Sequence, residues 1–77
     1  SNLLNRMVWH TMASSLSRID QEAAPMAKLI RYRNAVKMLD GKIQTESIPR
    51  VRLVLEKARM ALLKAQQEYI LHTIMKR

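Results

Sequence analysis

Residues 48–76 read IPRVRLVLEKARMALLKAQQEYILHTIMK. Within them Ile48, Val51, Leu55, Ala58, Leu62, Ala65, Tyr69 and His72 follow one another at steps of three and four without a miss. That spacing keeps them on one side of a helix and makes a heptad seam about four repeats long. Large residues (Ile48, Leu55, Leu62, Tyr69) alternate with small ones (Val51, Ala58, Ala65), so a neighbouring helix can approach closely. A helix over 48–76 would be about 43 Å long at 1.5 Å per residue.

The same helix carries apolar residues off its seam: Leu53, Met60, Leu63, Ile70, Leu71 and Ile74. A surface helix needs one apolar stripe, and this one has most of two. Either two shorter helices pack on different sides of it, or one stripe is core and the other contacts a further copy of the chain. The second reading is favoured, because the bundle is small and the apolar surplus large. Leu55, Ala58, Leu62, Ala65 and Tyr69 are then the packing seam. Met60, Leu63, Ile70 and Ile74 are the second, self-associating stripe.

Upstream, Trp9, Met12, Leu16, Ile19 and Ala23 recur at helical steps, widened near the start by Leu3, Leu4, Met7 and Val8. They predict a first helix over about 3–22. Pro25 disfavours the α conformation at Ala24 and fits the first position of a new helix. The stripe Leu29, Tyr32, Val36, Leu39 is out of phase with the first series, which argues for a break. A second helix is expected over about 25–39, closed by Asp40-Gly41 as a turn. Residues 42–47 form the connection, with Ser47 as the N-cap of the third helix and Pro49 in its first turn. The fold class expected is therefore all-α: a single three-helix domain over 1–77, with two shorter helices and a long C-terminal one.

Composition agrees. The chain has 77 residues, 48% of them hydrophobic but only 4% aromatic, with no Phe, one Gly and two Pro. Leu, Met and Ala favour helix over sheet. With no cysteine, disulfides, zinc fingers and iron–sulfur sites are excluded. A core of this size gives only about 3–5 kcal/mol of net stability, which makes oligomerisation a natural support. Ser1-Asn2 stands where an initiating Met would, as a cloning scar or a trimmed end, and carries no functional weight. No apolar run approaches the roughly 18 residues of a membrane span, and no signal-type segment is visible, so a cytoplasmic location is expected.

Lys and Arg total 14 against 6 acids, a net charge of +8. Between residues 23 and 39 there is no acid, whereas ordinary solvated helices mix signs. On a helical wheel Leu29, Tyr32, Ala35, Val36 and Leu39 share one arc, with Arg31, Arg33, Asn34 and Lys37 opposite and Lys28 at the margin. Tyr32 thus belongs to the core stripe and is no exposed stacking platform. Ile30 and Met38 fall among the polar residues and hint at a contact surface. The third helix opens with Arg50, Arg52, Lys57, Arg59 and Lys64 against Glu56 alone. Lys28, Arg31, Arg33, Lys37, Arg50, Arg52, Lys57 and Arg59 are the candidate contacts for a polyanion: an acidic protein, or nucleic acid through its phosphates. A helix-turn-helix fits poorly, because the link after Asp40 is too long and the third helix is long for a recognition helix.

Nothing points to catalysis. His10 and Ser14 share a helix face but have no acid within a turn to orient them. His72 ends the seam without a ligand-spaced companion. No two acids stand three or four apart, which gives neither a carboxylate dyad nor a metal site. One glycine cannot make a phosphate-cradling loop. Six methionines suit adaptable packing or a promiscuous contact surface. The expectation is a non-enzymatic interaction or oligomerisation module with no cofactor. Its expected partners are a second copy and an acidic protein, with a nucleic-acid-binding accessory protein as the alternative.

Overall fold

The computed structural model describes residues 2–75, leaving aside the side chains of Asn2 and Leu4. It is an all-α bundle of three helices. Helix α1 spans Asn2–Asp20, α2 spans Pro25–Thr45 and α3 spans Pro49–Tyr69, followed by a π-helical turn at Ile70–Ile74. The bundle is elongated, 43 × 19 × 16 Å.

Two proline entries organise the chain. Ala24 is extended, as the residue before a proline must be, and Pro25 opens α2. The first backbone bond then runs from the Lys28 N–H to the Ala24 carbonyl (3.1 Å). Ile48 and Pro49 repeat this device at α3, where the Arg52 N–H bonds the Ile48 carbonyl (3.0 Å). Proline at the first helical position lacks only an N–H that would have no partner inside the helix. Ser47 is therefore not the N-cap expected of it: Ile48 holds that position without a side-chain cap. The Ile48 N–H is instead satisfied by the Glu46 carboxylate (3.1 Å). The Arg52 guanidinium reaches back to the Glu46 carbonyl at 2.6 and 3.2 Å, which fastens the link to the helix it leads into.

The second helix corrects the expected boundary. It runs through Asp40-Gly41 to Thr45 rather than stopping at 39. Gly41 has no positive φ, so the turn conformation that glycine would favour is not used. Glycine inside a helix costs roughly 1 kcal/mol relative to Ala. That cost is met beyond the glycine, where Ile43 packs on the core and the Thr45 hydroxyl donates to the Gly41 and Lys42 carbonyls. The connection to α3 thus shrinks from residues 42–47 to 46–48, and link length no longer argues against a helix-turn-helix. Geometry does. Tyr32 faces Tyr69 while Asp40 pairs with Arg59, so α2 and α3 run antiparallel side by side. This is an αα-hairpin, not a pair crossed at about 90–120°.

The core is Met12, Ile19, Tyr32, Ala35, Val36, Leu39, Leu55, Ala58 and Leu62. The central stretch of the seam packs here, with Ala58 at 0% and Leu62 at 1% exposure; Ala65 and Tyr69 are half-buried against it. On α1 the buried line is Val8, Met12, Leu16 and Ile19. Leu3, Met7 and Trp9 are exposed instead, the Trp9 indole N–H donating to the Asn5 side chain at 2.9 Å. Ala23 lies beyond the helix and is exposed. The third helix is narrower in its regular part than expected: it widens after Tyr69, where the Met75 N–H bonds the Ile70 carbonyl five residues back (2.9 Å). No proline or glycine marks that change. The expected end at residue 76 lies outside the described residues. Among those described, no helix is long and apolar enough to cross a membrane.

Candidate interaction surfaces

Of the eight cations grouped from sequence, four are occupied. Arg31 pairs with Glu22 at 3.0 Å and Arg59 with Asp40. Arg52 holds the Glu46 carbonyl, and the Lys28 ammonium sits 5.3 Å from the centre of the Tyr69 ring, a cation–π distance. Among the described residues Arg33, Lys37, Arg50 and Lys57 make no ion pair. These four do not share a face. At 100° per residue Arg50 and Lys57 lie on the flank of α3 opposite Arg52 and Arg59. The Asp40–Arg59 pair shows that the latter flank turns to α2. The positive charge is thus spread around the bundle.

Of the second stripe, Met60 is 69% exposed, whereas Leu63 packs partly on the core and Ile70 and Ile74 are half-buried. Leu53 and Leu71 stand out beside Met60. An apolar line therefore faces solvent along the back of α3.

A trough runs between α1 and α2. One part, a cavity of ≈ 190 Å³, is lined by Met7, Met12 and Met38 with Lys42, and its floor is Leu55, Ala58 and Leu62. Ser15 and Met38 also line an adjoining hollow of ≈ 180 Å³, which ends at Arg18 and Arg31. Both walls span the same length, from Met7 to Arg18 on α1 and from Arg31 to Lys42 on α2, about 16 Å at 1.5 Å per residue. The trough has an apolar floor, methionine walls, and cations at both ends. No acid lines it.

No family model matches this chain, and no curated protein or solved structure matches it either. The trough was not read from the sequence. Its signal was Met38 among the polar residues of α2, with Met7, Thr11, Ser15 and Arg18 on a matching line of α1. The other apolar outlier, Ile30, is exposed away from it.

Proposed function

We propose that the protein is a non-enzymatic helical interaction module whose trough between α1 and α2 seats an acidic amphipathic helix of a partner. The carrying observation is the trough itself: three methionines over an apolar floor, with Lys42 at one end and Arg18 at the other. Helix-in-groove recognition takes apolar anchors at i, i+3 or i+4, and i+7, and about three turns fill 16 Å. Methionine side chains repack around different anchors. The terminal cations favour acids flanking the anchors and repel basic helices.

Fluorescence anisotropy tests this with a designed amphipathic peptide bearing Leu anchors and Glu flanks. The acidic peptide binds, a Lys-flanked version binds at least tenfold more weakly, and Met38→Asp abolishes binding. Equal binding of both peptides, or wild-type affinity in Met38→Asp, would contradict the proposal.

The second reading is phosphate binding by one of the free pairs, Arg33 and Lys37 on α2 or Arg50 and Lys57 on α3, supported by the net charge of +8. Two phosphate contacts on duplex DNA would give a slope of about −1.8 in log affinity against log salt. Salt-dependent DNA binding that survives Met38→Asp would favour this reading over the trough.

A further inference from the structure

Glu56, Met60 and Lys64 follow one another at steps of four along the exposed side of α3. Residues so spaced form one ridge, and the commonest helix packing sets such a ridge of one helix beside that of another at a crossing angle near −50°. On this ridge opposite charges flank a central apolar residue: minus, Met60, plus. Such a sequence is complementary to itself when reversed. We infer that a second copy of the chain docks on this face, antiparallel, with the two-fold axis passing through Met60.

That register places Glu56 against Lys64 of the second copy, a pair that occurs twice by symmetry. A parallel arrangement would set like against like. The apolar contribution comes from Met60 and Leu53, both exposed, and from Leu63, half-buried at the edge of the face. Exposed ion pairs contribute little each, so the charges select the register and the small apolar patch sets a modest affinity. The face lies on the back of α3, away from the trough, and this dimer goes beyond the helix-docking reading without depending on it.

The chain has no cysteine, so a single introduced thiol reports the axis. Only a residue on the axis meets its own copy. Met60→Cys is therefore expected to form a disulfide-linked dimer much faster than Leu53→Cys under mild oxidation. Adding Lys64→Glu or Glu56→Lys to Met60→Cys makes two like-charge contacts and slows cross-linking about tenfold. Mixing those two charge variants restores it, because each then offers the sign the other lacks. Equal rates for Met60→Cys and Leu53→Cys would overturn the inference. So would charge changes without effect, a mixture that fails to recover, or a wild-type chain that stays monomeric at millimolar concentration. Peptide binding at the trough is measured on the same variants and remains at the wild-type level, so loss of the dimer and failure of the trough give different results.

Discussion

The rings of Tyr32 and Tyr69 lie with centroids 6.0 Å apart and planes inclined by 34°, joining the start of α2 to the end of α3. Burial raises the Tyr32 phenol above its ordinary value of 10.0, with Asp20 and then Tyr69 adding to the shift. The folded state therefore favours the neutral phenol. Below pH 10 both states hold the proton and Tyr32 gives no pH dependence. As pH rises from about 10 through the higher folded value, the unfolded state releases its proton first and stability falls. Urea midpoints between pH 8 and 11 are expected to be level and then decline. In Tyr32→Phe the decline should be shallower; an unchanged decline would assign it to other groups.

Gly41→Ala tests the continuity of α2. A Cβ at Gly41 meets nothing within 4 Å and the backbone there is helical. The substitution is expected to stabilise by about 0.5–1 kcal/mol. Were Asp40-Gly41 a turn with positive φ, the same change would destabilise, and thermal melting separates the two signs.

Leu62→Ala removes a side chain that is 1% exposed at the centre of the core and should cost about 2–5 kcal/mol. Much of a bundle this small could unfold as a result. Met60→Ala, two residues away on the open face, should leave the urea midpoint within about 0.5 kcal/mol. Comparable losses at both positions would mean the seam is wrongly placed.

Asp40 and Arg59 bridge α2 and α3 while remaining partly exposed, at 44% and 37% for their side chains. Solvent screening limits such a pair to about 0–1 kcal/mol. Arg59→Gln should therefore lower stability slightly at low salt and less at high salt. A loss of several kcal/mol would show a pair far better shielded than the geometry indicates.

The features legible in the sequence were those fixed by periodicity or by proline. The steps of three and four through Leu55, Ala58 and Leu62 announced the core, and Pro25 announced the break, because both signals are local and strong. Asp40-Gly41 misled, since that dipeptide favours a turn only where nothing beyond it is buried. Val36, Leu39 and Ile43 continue the α2 stripe across it at steps of three and four, and tertiary packing outweighed the glycine. Trp9 fits the stripe by spacing, three before Met12, but Val8, four before it, holds the buried position. The sharing of cations among Glu22, Asp40, the Glu46 carbonyl and the Tyr69 ring depends on which helices meet. The trough depends on the same thing, being made where α1 and α2 meet over α3, none of them concave alone. Neither could be read from one helix at a time.

Methyl NMR of the six methionines during titration with the acidic amphipathic peptide is the most direct test of helix docking in the trough. Met7, Met12 and Met38 line the trough, while Met26, Met60 and Met75 are exposed elsewhere. Docking in the trough moves the resonances of Met7, Met12 and Met38 in a saturable way and leaves those of Met26, Met60 and Met75 in place. Shifts confined to Met60, or no saturable shift at Met7, Met12 and Met38, would contradict it.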